Sequence, residues 1–214
     1  MRLPAEEPAA TAWRSVTDDE LRTRLRQLLP EAGSALVLVD GRSGSGKSTV
    51  AARLARLLGA PLVHTDDIAW HHDPIEWAGL LVDGVLEPWR RGEPVRYRPP
   101  GWIARDRAGA VCVDSCSRLV VEGVGAARAE LAERAELAVW VQADVDVARR
   151  RGVARDVELG RTPAEAEAFW DDWARAEDPF LAIDQPWRRA RLIVNGAPLN
   201  SAGDVTVIAD GPLP

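Results

Sequence analysis

Lysine is almost missing from this chain of 214 residues, whose 27 basic side chains are 26 arginines and a single lysine, Lys47. Cysteine is as scarce. Cys112 and Cys116 stand four apart with no second Cys or His pair at metal spacing, which excludes a disulfide framework or a zinc site and leaves two reduced thiols in or near a strand. No apolar run approaches the length of a membrane span, and the first residues, Met1, Arg2, Leu3, Pro4, Ala5, Glu6 and Glu7, contain no apolar segment of the secretory kind. A cytoplasmic location is therefore expected, without membrane contact. The net charge of −6 argues against a chain that lives on nucleic acid or anionic lipid, so the expected partner is a small molecule, with assembly into homo-oligomers left open.

What is present reads as an ordinary folded domain, with 46% hydrophobic and 28% charged residues. A chain this long makes one domain with a core of useful size. Residues 1–16, rich in Pro, Ala and Glu, read as a flexible N-terminal arm, and residues 17–214 as one domain. Thr17 followed by Glu20 has the spacing of a capping box and predicts a helix to about residue 29. Beyond it, apolar runs predict strands at 35–39, 61–64, 118–121, 137–141 and 190–194. Helical patterns fall at 48–58, 126–134, 145–156 and 163–177. Such alternation implies a parallel sheet covered on both faces. It breaks between 70 and 114, where tryptophans stand among prolines, glycines and arginines. This stretch reads as an insertion of short helices and a hairpin lying over the ligand edge of the sheet.

Between the strand at 35–39 and the helix at 48–58 runs Gly41, Arg42, Ser43, Gly44, Ser45, Gly46, Lys47, Ser48, followed by Thr49, a full match to G-x-x-x-x-G-K-[ST] in the strand-to-helix context that the motif requires. Its glycines let backbone N–H groups turn toward phosphate oxygens, and the helix that follows presents its amides and positive dipole end to the same anion. Lys47 is a compact ammonium that fits among phosphate oxygens, where a planar guanidinium would not. Ser48 is placed to ligate Mg²⁺. ATP and Mg²⁺ are the expected cofactors.

Carboxylates stand at two strand ends, Asp66 and Asp67 after the second strand and Glu122 after Leu119, Val120 and Val121. In an open parallel sheet those ends face the ligand crevice, where a carboxylate can hold the metal or accept a hydroxyl proton. Asp67 has the alternative of capping a turn. The helix at 145–156 carries Arg149, Arg150, Arg151 and Arg155, and Arg151 and Arg155, four apart, share a face. Residues 144–161 thus read as an Arg-rich lid able to stabilise a transferring phosphoryl group. Trp70, His71, Tyr97, Arg98 and Trp102, with Asp67, are the candidate acceptor-site residues, and Trp77 and His72 belong to the same stretch. Trp13, Trp140, Trp170, Trp173 and Trp187 read as packing.

The phosphate loop Gly41 to Thr49, the segment Thr65, Asp66, Asp67, the run Val120 to Val124 ending in Glu122 and Gly123, and the stretch from Asp144 through Arg151 and Arg155 to Arg161 together resemble the uridine kinase and phosphoribulokinase-like family of P-loop kinases, uridine/cytidine kinase in particular. The resemblance implies a P-loop NTPase three-layer α/β/α fold with a central, mostly parallel sheet, an acceptor-site insertion at 70–114 and an Arg-rich lid. It implies transfer of the γ-phosphoryl group of ATP to a hydroxyl of a metabolite, a nucleoside of the uridine or cytidine type first. Asp66 would be the catalytic base, Ser48, Asp66 and Glu122 would surround Mg²⁺, and the lid arginines would contact the triphosphate. The departures concern substrate more than reaction, because Asp67 is followed by Ile68, Ala69 and Trp70 where that family has aromatic base-contacting residues. A sugar or vitamin-like acceptor and a non-kinase regulatory ATPase are the alternatives. A GTPase of the common type is excluded, since its guanine motif needs a second lysine.

Overall fold

In the computed structural model, which describes residues 1–196 and 205–213, the capping box forms as the spacing predicts. Thr17 Oγ1 accepts the Glu20 amide while the Glu20 carboxylate accepts the Thr17 amide, so two donors that the helix leaves orphaned find partners. The chain runs through β1 (Arg14–Thr17), α1 (Asp18–Leu28), β2 (Ala35–Gly41), α2 (Lys47–Leu58), β3 (Leu62–His64) and α3 (Thr65–Ile68). The insertion follows as α4 (Ala78–Leu81), a π-helical turn (Val82–Leu86), α5 (Glu87–Arg90), β4 (Val95–Tyr97), α6 (Pro100–Ala104) and β5 (Val111–Val113). Then come β6 (Arg118–Glu122), α7 (Ala129–Ala132), β7 (Leu137–Gln142), α8 (Val145–Glu158), α9 (Pro163–Asp184), β8 (Leu192–Asn195) and β9 (Val205–Asp210).

Seven strands form one sheet in the order β1-β9-β8-β7-β2-β6-β3. The five strands from β8 to β3 are parallel, while β9 pairs antiparallel with both β8 and β1. Side-chain alternation along β2 sorts its residues between two layers. Ala35, Val37 and Val39 pack against Leu21, Leu25 and Leu28 of α1 and Leu54, Leu57 and Leu58 of α2. Leu36 and Leu38, with Leu119 and Val121 of β6, pack against Trp77, Leu81, Val85, Trp89 and Trp102. The insertion is therefore the second helical layer of the domain, and β4 and β5 form its antiparallel hairpin. Only its first residues reach the ligand edge, because buried tryptophans draw the remainder onto the face of the sheet.

Three expectations change. Residues 1–16 are not a loose arm: β1 closes the sheet edge, and Glu7, 4% exposed, accepts Trp140 Nε1–H at 2.8 Å and Gln142 Nε2–H at 2.9 Å. The helix read at 126–134 shrinks to α7, because the Asp40 carboxylate at the end of β2 takes the amides of Gly125 and Ala127 at 2.9 Å each and holds that segment as a loop. The helix read to 177 continues to Asp184 through Pro179; its Leu181 is fully buried beside Trp140 and Trp187, which offsets the one hydrogen bond that proline removes.

Candidate active site

Everything at the site hangs from the carboxyl ends of three neighbouring strands. Central β6 lies between β2 and β3, with Glu122 level with Val39 on one side and His64 on the other. Residues after these positions therefore converge on one crevice, as expected for an open parallel sheet. After β2 the chain turns through the phosphate loop into α2, whose N-cap is Gly46 at φ +93°, with no side-chain cap. The amides that begin α2 thus lack side-chain acceptors, the condition in which a helix start binds an anion. Gly44, at φ +71°, leaves no room for a side chain, since a Cβ there would stand 2.1 Å from the Ala148 carbonyl oxygen.

A cavity of about 310 Å³ opens over this loop. Ser43 and Lys47 of the phosphate loop line it, with Thr65 and Asp66 after β3, Val124 after β6 and Arg155 and Asp156 of α8. Its remaining wall is Ala69, Trp70, His72, Pro74 and Trp77 on one side and Phe169, Trp170 and Trp173 of α9 on the other. Of the predicted catalytic set, Lys47, Asp66 and Arg155 line this cavity, and Arg151 stands beside the phosphate loop, its Nη1 3.8 Å from where a Cβ on Gly46 would lie. Its Nη1 donates to the Gly196 carbonyl at 2.7 Å, on the flank of the phosphate loop. Arg149 bridges α8 to Glu167 and Asp171 of α9, the behaviour of a solvated helix face.

The two aspartates diverge, though not for the reason that extended backbone would supply. Residues 65–68 are one helical turn, so neighbouring side chains are separated by about 100° around it. Asp66 lines the cavity, whereas Asp67 Oδ1 accepts Arg107 Nη2–H at 2.8 Å and its carbonyl accepts Trp102 Nε1–H at 2.8 Å. The Arg107 guanidinium is stacked between Trp102 and Trp70, 3.7 and 5.0 Å from the ring centres. Asp67, Trp102 and Arg98, which donates to the Arg107 carbonyl, thus build scaffold. Tyr97 packs against Gly84, where a Cβ would meet its ring at 2.5 Å. His71 is exposed at φ +55° with its ring edge-on to Trp70. Of the predicted acceptor residues Trp70 lines the cavity, and with it Trp77 and His72 of the same stretch, whereas Asp67, His71, Tyr97, Arg98 and Trp102 do not.

The phosphate loop is braced from behind. Arg42, buried, pairs with Glu6 and Glu7 of the arm and Asp178 of α9, so its side chain faces away from the loop's concave side. The Ser43 amide donates to buried Glu177 at 2.7 Å. Asp40 accepts the Gly41 amide as well as those of Gly125 and Ala127, and complete burial lifts its carboxyl to about 6 against these donors and Lys47. Sequence reasoning passed over Asp40, Asp156 and Glu177, and it read Trp170 and Trp173 as packing, whereas the fold makes them cavity wall. The one available signal was an aspartate ending an otherwise apolar strand immediately before the loop.

Ser48, Asp66 and Glu122 offer hard oxygen donors, the chemistry that Mg²⁺ takes. Glu122 is buried; its Oε1 lies 2.5 Å from His64 Nδ1, while Oε2 has no hydrogen-bond partner. Among the described residues no three His, Cys, Asp or Glu side chains form a cluster able to hold a metal. A magnesium site shared with nucleotide phosphates needs only one or two carboxylates, so the residues present fit.

No protein-family model matches the chain. A shikimate kinase of Rhodopseudomonas palustris is 28% identical over 212 residues, 96% of this chain and 85% of its own. Among solved structures, a candidate fructose transport system kinase from Silicibacter sp. aligns with a TM-score of 0.58 at 21% identity, over 72% of this chain and 87% of that one. A candidate uridine kinase from Bacillus stearothermophilus aligns with a TM-score of 0.54 at 20% identity, over 82% and 96% of the two chains. No helix among the described residues is long and apolar enough to cross a membrane. Sheet order, phosphate loop and these structural likenesses agree: the chain has the fold of the P-loop kinases.

Proposed function

We propose that this protein is a small-molecule kinase that transfers the γ-phosphoryl group of ATP to a hydroxyl of a metabolite, with Mg²⁺ as cofactor. The observation that carries the reading is the single cavity onto which Lys47, Asp66 and Arg155 all open. The phosphate loop and Lys47 bind the donor phosphates. Asp66 receives the proton of the acceptor hydroxyl as its oxygen bonds to the γ-phosphorus and the bond to the bridging β–γ oxygen breaks, releasing ADP. Arg155, on α8, neutralises charge on the transferring group. Ser48, Glu122 and Asp66 would hold Mg²⁺, which supplies charge neutralisation on the phosphates when bound. The aromatic walls orient the acceptor and exclude water.

Relatives named for shikimate, uridine and fructose agree on phosphoryl transfer and differ in acceptor. Uridine and cytidine remain the first acceptors to try. The test is ADP release with Mg²⁺ and ATP in the presence and absence of a panel of nucleosides, sugars and hydroxy acids, alongside Lys47→Ala. Acceptor-dependent release by the native chain, lost in a folded Lys47→Ala variant, is the expected result. Slow hydrolysis indifferent to every acceptor would favour the regulatory ATPase instead.

A further inference from the structure

Two side chains that line the cavity each carry a buried polar atom with no hydrogen-bond partner: Asp156 Oδ2 and Trp173 Nε1. Asp156 is 3% exposed, and its other oxygen, Oδ1, accepts Arg155 Nε–H and Nη2–H at 3.3 Å each, with Arg161 3.7 Å away. A buried carboxylate oxygen left unpaired is costly unless something completes it, and so is an indole N–H. The two are complementary in kind, one accepting and one donating. A hydroxyl group does both, so two hydroxyls on one ring can satisfy the two atoms.

Charge on the wall narrows the choice. It presents two carboxylates, Asp66 and Asp156, against His72 and one arginine, Arg155, which the kinase reading assigns to the transferring phosphoryl group. Lys47 belongs to the phosphate loop. An acceptor carrying its own carboxylate would meet repulsion and no free fork of donors to bind it. Tryptophans of the insertion and of α9 instead offer flat apolar faces to a ring.

We propose that Asp156 and Trp173 are specificity residues that read the hydroxyls of an uncharged, ring-shaped polyol, Asp156 Oδ2 accepting from one hydroxyl and Trp173 Nε1 donating to another. This rests on the kinase reading above and deepens it.

The experiment uses the full chain with Mg²⁺ and ATP, and two sets of acceptors: uridine, ribose, fructose and inositol as neutral polyols, shikimate and gluconate as carboxylates. The best neutral compound is expected to exceed either carboxylate at least about tenfold in kcat/KM. Asp156→Asn and Trp173→Phe should each raise the KM of that compound, the former about tenfold, while the KM of ATP moves less than about twofold. Trp173→Phe keeps the ring and touches no ion pair, so it carries the test should Asp156→Asn fail to fold. Fastest turnover with a carboxylate, or unchanged acceptor KM in the folded variants, overturns this inference and leaves the kinase reading standing. Absence of acceptor-dependent ADP release with both sets overturns both.

Discussion

Asp66 and Asp67 are adjacent and chemically identical, yet their surroundings separate them. Asp66 is exposed on the cavity wall, and Asp67 is tied by Arg107 into the stack of Trp102 and Trp70. Asp66→Asn should lower kcat by at least about two orders of magnitude with ATP still bound, the usual contribution of a general base. Asp67→Asn should be milder and act through the loosened stack; steady-state kinetics of the two variants will show whether the order is the reverse. Asp40 carries a different consequence. Its carboxyl sits near 6 in the folded chain against an ordinary 3.8, so between those values the folded state holds a proton that the unfolded state has lost. Its share of stability is complete below about pH 4 and is lost as pH rises through about 6. Glu7 is raised by burial as well and acts in the same sense. Melting temperatures taken from pH 4 to pH 7 should show Asp40→Asn gaining on the native chain as pH rises. A constant offset would show that Asp40 is not the group that titrates.

Helices α8 and α9 meet face to face because Gly152 lets the Trp170 ring lie against the backbone of α8. A Cβ at that position would stand 2.0 Å from the ring. Gly152→Ala should therefore destabilise the fold by about 1–3 kcal/mol, outweighing the better helix propensity of alanine. Because Trp170 also lines the cavity, acceptor KM should rise while ATP binding is preserved. Denaturant unfolding and kinetics on one preparation test both halves. Unchanged stability would mean that the ring has room to move aside. The same helix α9 reaches the phosphate loop through Glu177 and Asp178, so one element sets both a wall of the cavity and the back of the loop.

The N-terminal residues brace the centre of the molecule. Glu7 lies against Trp140 and Gln142 of β7 and against Arg42, and Ala10 donates its amide to Gln142 Oε1 at 2.9 Å. Deleting residues 1–10 would leave the Trp140 N–H unpaired and Arg42 with Asp178 as its remaining carboxylate partner, a loss on the order of 3–5 kcal/mol for a broken buried ion pair. A fall in melting temperature of several degrees is expected, with weaker nucleotide binding because Arg42 sits inside the phosphate loop. A truncated chain that melts and binds ATP like the full one would show the arm to be dispensable.

What could be read from the chain was local in sequence. The phosphate loop is eight consecutive residues in a fixed context, the capping box at Thr17 spans four, and the parallel strands announce themselves as short apolar runs. Strand ends also locate the crevice in advance, which is how Lys47, Asp66 and Glu122 could be singled out together. The remainder depends on contacts between distant segments. Trp170 and Trp173 have the spacing of ordinary helix packing and become cavity wall only because α9 folds back over α8. Asp156 looks like one more charge on an arginine-rich helix until burial removes its water. Residues 1–16 are too polar and proline-rich to predict a strand, and β1 exists because β9 leaves an edge for it to pair with. Local geometry and apolar periodicity are written into neighbouring residues, whereas burial, pairing and the walls of a cavity arise only when distant segments meet.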